Sequence, residues 1–179
     1  MNKDTLRTEM LTIRMALTEN QRKELSDNAV SLIQNHPLYQ SATHIGIYHP
    51  IKNELDVLNL RNDSEKHFYL PKVFGHHMHY LKFEETLEES ELGIFEPRSN
   101  KSYDKVLELI IVPALAVDHS FHRVGYGKGY FDRYLSMNPN IKTLGVVMSF
   151  QVVEKITHSP LDVTLHDIIV IPYQGEEST

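Results

Sequence analysis

The residues best suited to chemistry are gathered in one stretch, Val112 to Leu135, with the sequence VPALAVDHSFHRVGYGKGYFDRYL. Gly125, Gly127 and Gly129 remove three side chains within five positions. Backbone amides can then approach an anion closely, and the chain can turn in ways closed to other residues. Arg123, Lys128 and Arg133 add three cations, and Asp132 adds a hard oxygen ligand suited to magnesium. Tyr130 to Leu135 can begin a helix whose amino end favours negative charge. The spacing fits neither standard phosphate loop. Gly127-Lys128 lacks the preceding glycine and the following Ser or Thr of a Walker loop, and G-x-G-x-G is not the dinucleotide fingerprint. Glycines alone would make a turn. Three glycines, three cations and a carboxylate together read as a pocket for a magnesium-complexed nucleoside triphosphate.

Such a loop needs a frame. Leu107 to Val112 is a short, nearly continuous apolar run, as expected of a strand buried on both faces. The loop begins where this strand ends, and in open α/β sheets ligands bind beyond the carboxyl ends of strands. Residues Arg123 to Asp132 are therefore expected to join a central strand to a helix. His44 to Tyr48, His67 to Val73, His77 to Phe83 and Leu144 to Phe150 are further strands by their β-branched and aromatic content. Leu6, Met10, Ile13 and Leu17 follow helical spacing, which places Arg7 and Arg14 on the polar side of a first helix. Thr18 and Gln21 form a capping box, and Leu25, Ala29, Leu32 and Ile33 extend a second helix to His36-Pro37, completing an N-terminal helical hairpin. Glu54 to Leu60 and the region after Thr86 are also assigned to helices, the acidic run Glu84 to Glu91 forming a solvated helical face. The alternation predicts a three-layer α/β/α fold with a mostly parallel central sheet, one domain over residues 1–174 and a flexible tail over 175–179.

Composition narrows the partners. The 24 acidic residues against 18 Lys plus Arg give a net charge of -6, which argues against sequence-independent nucleic-acid binding. There is no cysteine, hence no disulfide, thiolate metal site or thiol nucleophile. The N-terminus is charged from Lys3, and Leu109 to Val117, the most apolar stretch, is interrupted by Pro113 and too short to span a bilayer. These features predict a soluble cytoplasmic protein without a membrane partner. Among eleven histidines, His76-His77-Met78-His79 is the densest group, but Gly75 predicts a hairpin turn that would send alternate histidines to opposite sides. His119 and His122 lie within the loop and are read as exposed.

Pro113-Ala-Leu-Ala-Val-Asp118 followed by Arg123-Val-Gly-Tyr-Gly-Lys-Gly-Tyr-Phe-Asp132-Arg133 closely resembles the signature of the 5-formyltetrahydrofolate cyclo-ligase family. Weaker pieces agree in order: Lys3-x-x-Leu6-Arg7, Ile47-Tyr48 through Asn53-Glu54-Leu55-Asp56, Leu70-Pro71-Lys72-Val73 and Gly93-Ile94-Phe95-Glu96-Pro97. The resemblance implies ATP- and magnesium-dependent closure of 5-formyltetrahydrofolate to 5,10-methenyltetrahydrofolate, with phosphorylation of the formyl oxygen and release of ADP and phosphate. It further implies that Lys3, Arg7, Arg123, Gly125, Tyr126, Gly127, Lys128, Gly129 and Arg133 bind the nucleotide. Arg123, Lys128 and Tyr130 would be the catalytic residues, while Glu54, Tyr130 and Phe131 would meet the folate. Asp132 would hold magnesium together with a residue of the closing segment Leu161-Asp162-Val-Thr-Leu-His166-Asp167, with Asp167 as the second ligand and His166 and Asp162 as alternatives.

This sequence departs from the family pattern at Phe131, where a second tyrosine is common, and at Lys128, whose position is often glycine. Two rivals stand beside this reading: another ATP-dependent phosphotransferase or ligase on the same scaffold, and a non-catalytic anion-binding domain. The enzyme reading predicts a small-molecule substrate and a monomer or small homo-oligomer.

Overall fold

A computed structural model describes residues 2–175; apart from Gly175, the tail expected over 175–179 lies outside them. The elements are α1 (Lys3–Met15), α2 (Glu19–Gln34), α3 (Pro37–Ser41), β1 (His44–Gly46), β2 (His67–Phe74), β3 (His77–Lys82), β4 (Leu87–Glu89), β5 (Phe95–Pro97), β6 (Leu109–Pro113), β7 (Ala116–Asp118), β8 (Arg123–Val124), α4 (Tyr130–Met137), β9 (Lys142–Met148), β10 (Val152–Val153) and β11 (Asp167–Ile171), with a 3-10 turn over Leu58–Asn62.

Six strands form the central sheet in the order β11-β9-β6-β1-β2-β3, all parallel except β3, which returns from β2 as a hairpin through Gly75 at φ +63°. Alternation along β6 divides the core. Leu109 and Ile111 point to the layer containing Leu25, Ala29 and Ile33 of α2, whereas Ile110 and Val112 point to the layer containing Tyr134 and Leu135 of α4. These side chains are 0–6% exposed, and each such burial contributes about 1.5–3 kcal/mol. A third cluster joins Leu6 and Met10 of α1 to Leu115, Ala116, Val124 and Ile156, against the small sheet β10-β7-β8. The successive helices α1 and α2 thus send their apolar faces to different clusters. The Thr18–Gln21 capping box between them is present.

From β1 the chain proceeds outward to β2 and β3, and from β6 it proceeds the other way to β9 and β11. The gap between β1 and β6 is therefore a topological switch point, where a crevice opens beyond the strand ends.

Several local expectations are corrected. Pro37 starts α3 at its first turn, where the missing N–H costs nothing, and His36 accepts from Leu38 N at the cap. Glu54 sits in a turn whose two central residues, Lys52 and Asn53, both have positive φ, so helix begins only at Leu58 and is 3-10. The acidic segment after Thr86 forms the β4–β5 hairpin. Glu88 meets Lys72 and Arg98 there, and Glu96 turns inward to accept from Val73 N. The glycine loop does not leave a central strand directly: the β7–β8 hairpin intervenes, and β8 lies outside the main sheet. Arg14 is not on a solvated face; it is 2% exposed.

Candidate active site

The crevice at the switch point is a cavity of about 520 Å³. One wall is the glycine loop. Gly127 has φ +97° and Gly129, which caps α4, has φ +70°, conformations that side-chain-bearing residues rarely adopt. At Gly125 the limit is space, since an added Cβ would lie 2.6 Å from Arg123 Nη2. Among the described residues, no side chain caps the first turn of α4, whose amides are left available.

Arg123 is the centre of this wall. Its Nη2 donates to the Pro113 carbonyl at 3.2 Å, and its guanidinium lies 4.9 Å from the centre of the Phe131 ring. Its Nε is buried and has no protein partner. Burial pulls its pKa below the ordinary value, while Asp132, Tyr80, Glu54 and Asp162 oppose the shift. An arginine nonetheless stays protonated, so a half-buried cation whose buried Nε is an unmatched donor calls for an anion.

The first helix completes the cationic side. Arg7 Nε donates to the Gly125 carbonyl at 2.8 Å, and Lys3 Nζ pairs with Asp162 at 2.6 Å. Lys128 lines the cavity with its side chain exposed. Asp132 lines it too and accepts from Val163 N at 3.1 Å, one residue beyond Asp162.

On the opposite side, Glu54 is 5% exposed. Its Oε1 accepts from Ile51 N at 2.9 Å and its Oε2 from the Tyr126 hydroxyl at 3.4 Å. Burial raises its carboxyl pKa above the usual range, against the Ile51 amide, Arg14, Tyr126 and Arg123. His49 packs against Phe95 with the rings tilted by 43° and their centres 5.0 Å apart, and its Nδ1 is buried without a partner. Glu96 also faces the cavity.

The structure thus brings together Lys3, Arg7, Glu54, Arg123, Gly125, Tyr126, Gly127, Lys128, Gly129, Tyr130, Phe131 and Asp132. It does not bring Arg133 or Asp167. Arg133 points away, donating to the His76 carbonyl and lying over the Tyr130 ring. Asp167 begins β11 and is therefore at the amino ends of the parallel strands, the edge opposite the cavity, where it meets His36 at 2.7 Å. His166 is beside it, bonded to Thr143. Of the closing segment, Asp162 is the residue that reaches the cavity. His122 packs on His158 and Asp118, and His79 meets Asp104, so neither serves the cavity.

Arg14, His49 and Glu96 escaped the sequence reading. Arg14 had a signal: Lys3, Arg7 and Arg14 are spaced by four and seven residues and so form one stripe on α1. His49 carried none.

The fit to a magnesium nucleotide can be tested on these donors. Among the described residues no group of three or more His, Cys, Asp or Glu could hold a metal alone. Two carboxylates beside a phosphate-seeking loop are nevertheless what magnesium uses, since it is commonly held by one or two carboxylates plus substrate phosphates and water. The buried, unmatched Arg123 Nε fits the phosphate half.

A model of the 5-formyltetrahydrofolate cyclo-ligase family matches residues 1–171. The chain belongs to this family. The Haemophilus influenzae cyclo-ligase is 28% identical over 182 aligned positions, covering 92% of this chain and 95% of that one. The solution structure of Aquifex aeolicus 5,10-methenyltetrahydrofolate synthetase superposes with a TM-score of 0.82 at 31% identity, over 95% of this chain and 90% of that one. The Mycoplasma pneumoniae synthetase, 24% identical, shares the fold with a TM-score of 0.77 over 94% and 98% of the two chains. Among the described residues, no helix is long and apolar enough to cross a membrane.

Proposed function

We propose that this cyclo-ligase family member closes 5-formyltetrahydrofolate to 5,10-methenyltetrahydrofolate, using ATP with magnesium and releasing ADP and phosphate. The observation that carries this reading is a single cavity with a glycine-rich cationic wall around Arg123 facing a buried carboxylate, Glu54. The nucleotide supplies a phosphoryl group, which turns the formyl oxygen from a poor leaving group into a good one. The protein supplies positioning and charge neutralisation, the main needs of phosphoryl transfer. Arg123, Lys128, Arg7 and Lys3 attract and orient the phosphates. Asp132 is the metal ligand, with Asp162 as its neighbour in place of Asp167. Glu54 accepts hydrogen bonds from the amino-pyrimidinone of the pterin, and Tyr130 and Phe131 provide aromatic surface around it. On this reading the enzyme acts in the cytoplasm, as a monomer or small homo-oligomer.

Incubating the protein with 5-formyltetrahydrofolate, ATP and magnesium should give a rise in the near-ultraviolet absorbance of the methenyl product that requires all three. ATP turnover with other acceptors but not with this folate would favour a different phosphotransferase. Magnesium-independent nucleotide binding without turnover would favour an anion-binding domain.

A further inference from the structure

Arg14, Tyr126 and Glu54 come from three distant parts of the chain and meet in one chain of hydrogen bonds, with Arg14 and Glu54 buried and the Tyr126 ring between them partly open to solvent. Arg14 ends the cationic stripe of α1 and is among the largest fully buried side chains. Its Nη2 donates to the Tyr126 hydroxyl, and its Nε donates to the Lys52 carbonyl at 2.9 Å. The Tyr126 hydroxyl is 3.4 Å from Glu54 Oε2.

The direction of these bonds is forced. An arginine has no acceptor, so the phenol oxygen must accept from Arg14 and its only proton is left for Glu54. Burial pushes the Tyr126 pKa up to about 12, which keeps that proton in place at neutral pH. The other oxygen of Glu54 is taken by the Ile51 amide. The carboxylate is therefore gripped at both ends, with lone pairs left for the cavity.

Arg14 also secures the turn that carries Glu54. It holds the Lys52 carbonyl while Asn53 Nδ2 donates back to the Arg14 carbonyl at 3.2 Å. Lys52 and Asn53 are at φ 47° and 60°, a conformation costly for residues other than glycine that needs such support. Tyr126, meanwhile, sits between Gly125, whose carbonyl accepts from Arg7, and Gly127, whose missing Cβ leaves room for the Arg7 guanidinium 3.3 Å away. The nucleotide loop and the Glu54 turn are thus joined through one phenol.

We propose that Arg14 and Tyr126 are positioning residues that aim the Glu54 carboxylate into the cavity, so that the glycine loop sets the geometry of the folate acceptor. Tyr126 then contributes to folate recognition through Glu54, in addition to any nucleotide contact made by its backbone. The proposal rests on the folate reading of Glu54 given above.

Tyr126→Phe keeps the ring and removes the one proton that reaches Glu54. Its KM for 5-formyltetrahydrofolate should rise about fivefold, the effect of losing roughly one hydrogen bond, while its KM for ATP stays within about twofold. A double-mutant cycle with Glu54→Gln is decisive. If Tyr126 acts through Glu54, adding Tyr126→Phe to Glu54→Gln raises the folate KM no further. Independent, multiplying effects would overturn the relay, as would a Tyr126→Phe enzyme with unchanged folate KM or with both KM values raised equally. The two readings fail separately: Glu54→Gln without effect on the folate KM defeats the folate assignment, whereas an effect of Glu54→Gln without one of Tyr126→Phe defeats the relay alone. A thermal midpoint for each variant confirms that folding is retained.

Discussion

The two walls of the cavity are built by opposite strategies. The phosphate-seeking wall is largely contiguous: Arg123 to Asp132 supply its glycines, its central cation and its carboxylate from ten consecutive residues. The Glu54 wall is assembled from His49, Glu54, Glu96 and Tyr126, with Arg14 bonded to Tyr126 outside the lining, so that it draws on four separate stretches of chain. Contact between backbone amides and an anion requires consecutive residues, because one turn must present several N–H groups to one point. A buried carboxylate has no such requirement and can be held by any donor that folding delivers. Function in the first wall is local, and in the second it is a property of tertiary structure.

The largest effect should come from breaking the local wall at its centre. Arg123→Met removes a half-buried cation whose buried Nε has no protein partner, while keeping apolar bulk beside Phe131. Its kcat should fall by at least about a hundredfold, the scale of losing one preorganised donor aimed at developing charge. Steady-state kinetics together with circular dichroism check this, and a near-normal kcat in a folded variant would show that the phosphates are held elsewhere. On the other wall, Glu54→Gln should raise the KM for 5-formyltetrahydrofolate by about tenfold at nearly constant ATP affinity, following from a lost charged acceptor of about 1.5–3 kcal/mol. Equal loss of both ligands would erase the distinction between the walls.

The same contrast explains what was legible. The buried strand before the loop and the capping box at Thr18 are written in short spacings, and the structure contains both, whereas of the three cations near the glycines Arg133 turns away from the cavity. Amphipathic patterning puts Arg14 on the polar side because it cannot distinguish a solvated arginine from one meeting partners 38 and 112 residues away. The acidic segment after Thr86 reads as a helix by composition, yet the Lys72 ammonium, held by the carbonyls of Pro97, Arg98 and Ser99, anchors the neighbouring chain and favours a hairpin. Register within the closing motif favours Asp167 for the metal. A shift of five residues to Asp162 crosses from one edge of the sheet to the other.

That crossing can be sharpened by a paired test. Asp132→Asn should raise the magnesium concentration needed for half-maximal activity several-fold, while Asp167→Asn should leave it unchanged, because Asp167 lies at the far edge with His36. A magnesium titration of both variants checks the assignment, and a shift in Asp167→Asn alone would reverse it.

The smallest effect belongs to that far edge. His166 Nδ1 accepts from Thr143 N at 3.1 Å, which requires the neutral ring, and burial, assisted by Lys142, lowers its pKa below the ordinary 6.5. The unfolded chain therefore binds more protons in the window below 6.5, and this contribution to stability is present above that window and lost as pH falls through it. His166→Gln should flatten the decline of the thermal midpoint between about pH 6.5 and 5, a window set by the histidine reference value, without changing the magnesium dependence. An unaltered decline would assign the acid sensitivity to other groups.

The pairing of Lys3 with Asp162 joins residues 159 positions apart, and the Leu6–Met10 face of the same helix is covered in part by Ile156. During vectorial synthesis the first helix is made early and its covering segment late. At about 5–20 residues per second, the interval is roughly 8 to 30 seconds. Until Ile156 is made the nascent chain carries an incompletely covered apolar stripe flanked by Lys3, Arg7 and Arg14, a surface suited to transient capture by chaperones. The phosphate-seeking wall can therefore close around its first cation only after the segment carrying Asp162 has been made.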